Sequence, residues 1–99
     1  MAHIHIAIFK WKESVTQAQI EDALAQVRQV ADRVPGVRNI YCGKNTSRWA
    51  QGYTDGVVVI ADDEQALDDY RKDEVHAKAA GIIEEMELDG IGVDFYDPT

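Results

Sequence analysis

The sequence predicts one α+β domain, because three features occur together in a chain of 99 residues. Strict alternation of side chains near the start indicates a β-strand. A stripe of apolar residues at helical spacing follows that strand. Further strands and helices then succeed one another without a linker or a low-complexity segment, and the length suits one compact domain. We therefore expect residues 1–99 to form a single domain.

The first strand is predicted from His3 to Trp11, where the sequence has a period of two. Ile4, Ile6 and Ile8 lie on one side of it. The other side carries His3, His5, Ala7, Phe9 and Trp11. Since both sides are largely apolar, both faces of the sheet require burial.

The first helix is predicted to begin at Thr16, because Gln19 follows three residues later as in a capping box. In that motif each side chain binds a free backbone amide of the first turn. Pro35-Gly36 is expected to end the helix. Its apolar stripe consists of Ile20, Ala23, Leu24, Val27, Val30, Ala31 and Val34.

Three further strands are predicted from Val37 to Gly43, from Tyr53 to Ala61, and from about Gly90 to Tyr96. Between the last two, Asp62 or Asp63 is expected to cap one helix and Asp73 another. Their inner sides would carry Ala66, Leu67 and Tyr70, and then Val75, His76, Ala79, Ile82, Ile83 and Met86. The order β-α-β-β-α-β predicts a ferredoxin-like fold with a four-stranded antiparallel sheet.

This topology makes the first and third strands central and antiparallel neighbours. We predict the pairs His5–Val59, Ala7–Val57, Phe9–Asp55, Trp11–Tyr53, Ile4–Ile60 and Ile6–Val58. Helices cover one face of such a sheet, and an exposed apolar face indicates an interaction surface. A second copy packed sheet against sheet would give an isologous homodimer. A different partner protein or a tetramer are the alternatives.

Charge and cysteine content exclude several classes of function. The net charge is −8, with ten basic residues among eighteen acidic ones, so neither nucleic acid nor an anionic membrane is an expected partner. Cys42 is the single cysteine, which rules out an intramolecular disulfide. No motif supplies an activating base for it, so we interpret it as a small strand hydrophobe. We expect a soluble, cytoplasmic protein.

Several segments resemble the stress-responsive A/B-barrel (Dabb) family. They are His5-Ile6-Ala7-Ile8-Phe9-Lys10-Trp11-Lys12, Val34-Pro35-Gly36-Val37, Gly43-Lys44-Asn45, Gln51-Gly52-Tyr53-Thr54 and the Tyr70…His76 spacing. The resemblance covers nearly the whole chain, and it implies a homodimeric α+β barrel.

The same resemblance implies a catalytic site made of His5, Tyr70 and His76. A cofactor-independent polyketide cyclase of this family has a histidine, a tyrosine and a histidine at these positions. Val27 departs from it, because the cyclase has a tyrosine there. The frequent His-Pro-x-His turn of the family appears as residues 73–76 and keeps its last histidine. No cofactor is implied.

For His5 to meet Tyr70 and His76, the odd-numbered face of the first strand must look toward the helices. A pocket would then be lined by His5, Ala7, Phe9, Val57 and Val59 below, and by Ala23, Val27, Leu67, Tyr70, His76 and Ile83 above. Such a lining is typical of a small-molecule site. Two alternatives stay open. The small residues Ala7, Ala23 and Val27 can instead let the helices pack closer to the sheet. If the first strand has the opposite orientation, Ile4, Ile6 and Ile8 lie beneath the helices.

The chemistry expected of this site is general acid–base catalysis on a hydrophobic carbonyl compound. As a neutral histidine, His76 would remove a proton beside the carbonyl. Tyr70 would orient His76 or donate to the enolate oxygen, and His5 would act as second donor or acid. The reaction would be that of a cyclase, a lyase or an isomerase. The alternatives are a non-catalytic stress-response or ligand-binding dimer and a cofactor-free monooxygenase.

Two other groups carry weaker hypotheses. His3 and His5 form a His-x-His pair that can bind a metal, but spacing fixes no third ligand, so no metal site is predicted. Asp55 shares a face with His5 but lies two residue pairs further along, which makes a dyad doubtful. If Asp55 is buried, it needs a partner, because an unpaired carboxylate in an apolar site is costly.

Overall fold

The computed structural model describes residues 2–98 and contains one four-stranded antiparallel sheet in the order β2-β3-β1-β4. The strands are β1 (Ala2–Trp11), β2 (Val37–Lys44), β3 (Asp55–Ala61) and β4 (Glu87–Asp97). The helices are α1 (Gln17–Gln29), extended by a 3₁₀ turn (Val30–Asp32), α2 (Glu64–Lys72) and α3 (Glu74–Met86). The predicted ferredoxin-like order and the four-stranded antiparallel sheet are confirmed.

The predicted register of the two central strands is also observed. His5 pairs with Val59 and Ala7 with Val57, while on the opposite side Ile6 pairs with Val58. The one exception is the Trp11–Tyr53 pair, because the ladder between β1 and β3 ends at Phe9–Asp55. Tyr53 belongs to a turn, since its amide donates to the Ala50 carbonyl, and β3 therefore begins two residues later than expected.

The start of β4 differs from the prediction as well. The strand begins at Glu87, directly after α3, and not near Gly90. Helix α3 and strand β4 thus meet without a loop, and the Lys12 amide donates to the Met86 carbonyl where they join. The added residues bring Glu87 beside the first strand, next to the helix-facing surface of the sheet.

The capping box at Thr16 is present. The Gln19 amide donates to Thr16 Oγ1 at 3.2 Å, and the Thr16 amide donates to Gln19 Oε1 at 2.8 Å. Regular α-helix ends at Gln29, before Pro35-Gly36, because residues 30–32 tighten into the 3₁₀ turn.

Asp73 fixes the angle between α2 and α3. Its backbone is extended, with a ψ of 136°, and its carboxylate accepts from the amides of Val75 and His76. The Arg33 Nε lies 3.0 Å from each Asp73 oxygen, so the capping side chain is itself held in place. This junction determines where His76 enters the structure.

The two faces of the sheet differ in what covers them. The helix-facing side of β3 is closed, since Val57 and Val59 are buried. The opposite side continues from Ile4, Ile6 and Ile8 onto β4 through their register partners Phe95, Val93 and Ile91. Those three β4 side chains are 43–47% exposed. We call this second surface, formed by Ile4, Ile6, Ile8, Val58, Ile60, Ile91, Val93 and Phe95, the outer face.

Candidate active site

A cavity of about 190 Å³ lies between the sheet and the helices. His5, Ala7 and Phe9 of β1 form part of its floor, which shows that the odd-numbered side of this strand faces the helices. The orientation on which the predicted site depends is therefore the one observed. The complete lining is His5, Ala7, Phe9, Val27, Val57, Tyr70, His76, Ala80, Ile83, Glu84 and Glu87.

Three of the predicted pocket residues do not line this cavity. Ala23, Val59 and Leu67 are instead buried in the packed core, with exposures of 0%, 0% and 3%. The small side chain of Ala23 is therefore part of the packed core and not of a ligand pocket. The space opens nearer to α3.

Three lining residues were missed by the sequence reasoning: Ala80, Glu84 and Glu87. Ala80 and Glu84 follow His76 at intervals of four, so both project from the same side of α3 as the histidine. That helical period was available in the sequence. The helical period could not identify Glu87, because this residue belongs to β4, whose start was predicted near Gly90.

The three predicted catalytic residues lie together in this cavity. The ring centroids of Tyr70 and His76 are 4.3 Å apart, and those of His5 and Tyr70 are 6.2 Å apart. Tyr70 is 2% exposed and lies between the two imidazoles. Two histidines and a phenol thus converge on an otherwise mainly apolar space, the composition expected of a small-molecule site.

His76 is set up as a neutral base. Its Nδ1 lies 3.2 Å from the main-chain carbonyl of Arg71, in the last turn of α2. Because a carbonyl can only accept, this hydrogen bond requires the proton on Nδ1 and leaves the lone pair on Nε2. Burial lowers the pKa of His76, and the charges of His5 and Arg71 lower it further, against opposing contributions from the carbonyl and Asp73. The ring is therefore unprotonated at neutral pH.

Tyr70 is set up as a hydrogen-bond donor. Burial raises the pKa of its phenol, and the nearby Cys42 acts in the same direction. The hydroxyl consequently keeps its proton throughout the physiological range. A protonated phenol beside a neutral imidazole can stabilise negative charge that develops on a bound oxygen.

His5 has a carboxylate partner that the sequence reasoning missed. Its Nδ1 lies 2.5 Å from Oδ1 of Asp94, the residue opposite His5 in the β1–β4 register. The Arg71 Nη2 lies 2.6 Å from the other oxygen of Asp94. Burial raises the pKa of Asp94, but the hydrogen bonds from His5 and Arg71 outweigh it and lower the pKa below its usual value. Asp94 is thus a carboxylate that orients the ring of His5.

Asp55 is not that partner. It is 2% exposed, and its Oδ1 accepts from Trp11 Nε1 at 2.8 Å, Thr54 Oγ1 at 2.9 Å and Lys44 Nζ at 3.0 Å. Three donors therefore satisfy this buried carboxylate. Asp55 does not line the cavity, and we interpret it as structural.

The remaining candidates take no part in the cavity. His3 packs its ring against Tyr96, with 5.0 Å between centroids. Within residues 2–98, no three His, Cys, Asp or Glu side chains are grouped so that they could hold a metal ion. Burial raises the pKa of the Cys42 thiol, which disfavours the nucleophilic thiolate.

Within residues 2–98, the helices are too short or too polar to span a membrane.

Among curated proteins, the chain is similar to olivetolic acid cyclase from Cannabis sativa. The two are 28% identical over 72 residues, which is 71% of this chain and 71% of the cyclase.

Solved structures show the same fold. A dimeric ferredoxin-like protein of unknown function from Thermobifida fusca is 29% identical, with a TM-score of 0.86 over 98% of this chain and 92% of its own. The hydroxynitrile lyase from Passiflora edulis also has a TM-score of 0.86, over 99% of this chain and 95% of its own, although identity is 14%. The second likeness concerns the fold alone.

Residues 4–97 match the stress responsive A/B barrel domain, abbreviated Dabb. This match spans almost the entire chain, from the third residue of β1 to the end of β4. The protein belongs to the Dabb family.

Proposed function

We propose that this protein is a cofactor-independent general acid–base enzyme that acts on a small hydrophobic carbonyl compound. The observation that carries the proposal is the convergence of His5, Tyr70 and His76 on one mainly apolar cavity. The similarity to olivetolic acid cyclase supports a cyclase-like reaction. A lyase or isomerase step would use the same groups.

The proposed step is a proton transfer. His76 Nε2 takes a proton from the carbon beside the substrate carbonyl, and the electrons of the broken C–H bond form an enolate. The Tyr70 hydroxyl donates a hydrogen bond to the enolate oxygen, and His5, in the doubly protonated form that pairs with the Asp94 carboxylate, supplies the second donor or the acid from Nε2. When the enolate carbon attacks an electrophile or is reprotonated, His76 returns its proton to the product, so the step requires no redox partner.

The size and lining of the cavity favour a compact substrate. Its volume of about 190 Å³ is below the roughly 300–1,000 Å³ of common ligand pockets. Val27, Val57 and Ile83 offer apolar contacts and no hydrogen-bonding groups. A small aromatic ketone with a C–H beside its carbonyl therefore suits this space better than a long chain bearing many oxygens.

We also propose that a second copy of the chain covers the outer face and that the protein works as a homodimer. The outer face is apolar and partly exposed across β1, β3 and β4, and monomers rarely leave such a patch open. The similar Thermobifida fusca protein is described as dimeric. A cytoplasmic location stays a prediction, based on a single cysteine and an acidic, charged composition.

Hydrogen exchange at a ketone tests the enzymatic proposal. Acetophenone in D₂O exchanges its methyl protons slowly, and proton NMR follows their loss with and without the protein. We expect the native protein to accelerate exchange, and His76→Gln to reduce that acceleration by ~100-fold or more, as loss of a general base does. His3→Gln, the same change at a histidine outside the cavity, should keep the native rate.

The outcomes separate the candidate functions. If acetophenone binds but native protein leaves the exchange rate at its buffer value, the enzymatic proposal fails and a ligand-binding dimer is favoured. If His76→Gln exchanges as fast as native protein, His76 is not the base.

A further inference from the structure

Arg71 contacts the partners of both cavity histidines. Its main-chain carbonyl accepts from Nδ1 of His76 at 3.2 Å. Its guanidinium binds Oδ2 of Asp94 at 2.6 Å, while Oδ1 of the same carboxylate lies 2.5 Å from Nδ1 of His5. One residue thus bonds directly to one imidazole and reaches the other through a single carboxylate.

We propose that Arg71 is a positioning residue that fixes the ring orientation and tautomer of His5 through Asp94 and places its positive charge beside His76. A role of Arg71 in catalysis depends on the proposed acid–base function, whereas its effect on the rings of His5 and His76 does not. With both Nδ1 atoms committed to acceptors, each ring is left with Nε2 for a ligand. The two histidines would then present the same nitrogen to one cavity.

Asp94 needs a second contact in order to hold His5. It lies on β4, an edge strand of the sheet, and half of its side chain is exposed. A carboxylate there with one hydrogen bond can rotate into water at little cost. The bond from Arg71 occupies the other oxygen, so both are committed at once. Loss of the guanidinium should therefore release Asp94 and, with it, the fixed tautomer of His5.

The local fold explains why Arg71 is in reach of both rings. Helix α2 ends at Lys72, and the extended backbone of Asp73 turns the chain into α3. The Arg71 carbonyl lies in the last turn of α2, where helical carbonyls lack partners in the helix. The imidazole of His76, one turn into α3, satisfies it. Tyr70 meanwhile turns inward, which directs the side chain of its neighbour Arg71 toward the edge strand.

Electrostatics supply a second effect. Burial is the main cause that lowers the pKa of His76, and the positive charge of Arg71 lowers it further. Replacement of that charge should raise the pKa. The charged and titratable groups around His76 are Tyr70 and Arg71 from α2, His5 from β1, Asp73 and Glu84 at the start and near the end of its own helix, and Glu87 at the start of β4.

Histidine NMR can test this without any substrate. The chain has three histidines, so their ring ¹⁵N signals can be assigned and titrated one by one. The informative variants are Arg71→Gln and Arg71→Lys, which remove and keep the charge. Lys72→Gln is the matched control, because it removes the same charge from the next, exposed position. Amide spectra establish that each variant is folded.

We expect Arg71→Gln to raise the titration midpoint of His76 and to replace the Nδ1–H pattern of neutral His5 by averaged Nδ1 and Nε2 shifts. Arg71→Lys should restore the midpoint of His76, and Lys72→Gln should leave both rings as in native protein. Native values for both rings in Arg71→Gln would overturn the proposal, and so would an equal change in Lys72→Gln. If the rings respond as expected while no variant accelerates ketone exchange, the positioning role stands and the proposed enzymatic function fails.

Discussion

The two faces of the sheet differ in how far the chain itself buries their apolar residues. Val57 and Val59 lie under the helices of their own chain and are 2% and 0% exposed, whereas Val58, between them on the same strand, points to the outer face and is half-buried. The inner face is completed within the chain but keeps a cavity. The outer face is apolar and partly exposed. A single alternating strand thus lines the cavity on one side and contributes to the partly exposed outer face on the other.

The inner and outer faces also differ in the polar side chains that they carry. The inner face carries His5 and Asp55 among apolar residues, and each has hydrogen-bonding partners. The outer side of β1 carries three isoleucines and no polar group between Ile4 and Ile8. Polar groups that need defined partners lie where the fold supplies them. The side without such groups suits a second apolar surface.

Aspartate substitutions at adjacent positions of β3 should reveal the largest difference between the two faces. Val59→Asp places an unpaired charge in the core, which costs several kcal/mol and should unfold a domain of this size. Val58→Asp should keep the fold and convert the proposed dimer into a monomer. Circular dichroism measures the fold, and light scattering after size exclusion measures the mass. A folded dimer for Val58→Asp would contradict the role given to the outer face.

The two aspartates of the inner face should differ by a smaller amount. Asp55→Asn weakens the bonds from Trp11, Thr54 and Lys44 at a buried position and should lower the free energy of unfolding by about 1–3 kcal/mol. Asp94→Asn, at a half-exposed position, should cost roughly 0–1 kcal/mol. Urea unfolding measures both values. Equal losses would show that Asp94 has a structural role comparable to that of Asp55.

The smallest expected effect concerns pH. Since burial lowers the pKa of His76 below its ordinary 6.5, its neutral, basic form should persist to a lower pH than in a free histidine. Ketone exchange should fall as the pH drops through this lowered pKa, because the imidazolium cannot accept a proton. The protonated ring is also disfavoured in the folded state, so the stability that neutral His76 contributes is present above pH 6.5 and declines below it. A ring titration with its midpoint above pH 6.5 would contradict this.

Local patterns in the sequence predict most of the fold. The alternation of β1 predicts which residues share a face, and the Thr16–Gln19 box predicts the start of α1. The central register follows once the topology is known, as the His5–Val59 pair shows. Errors concentrate at Tyr53 and Gly90, where a turn or a direct helix-to-strand junction sets the boundary. Alternation does not decide which face meets the helices; the family resemblance supplied that choice.

The site is less predictable than the fold. Its three central residues came from the resemblance, but Asp94 depends on the register of an edge strand whose start was misplaced. Arg71 depends on the reach of a long side chain, which no pattern encodes. Likewise, no periodicity distinguishes Ala7, which lines the cavity, from Ala23, which is buried in the packed core. Cavities arise from small differences in packing that are summed over several elements.

We propose that the inner face, and not the outer one, binds the ligand. An amide and imidazole NMR titration of the protein with acetophenone tests it most directly. We predict that the largest shifts occur at His5, Ala7, Tyr70 and His76, with little change at Ile6, Val58 and Val93. Shifts centred on the outer face, or none at saturating ketone, would contradict the account.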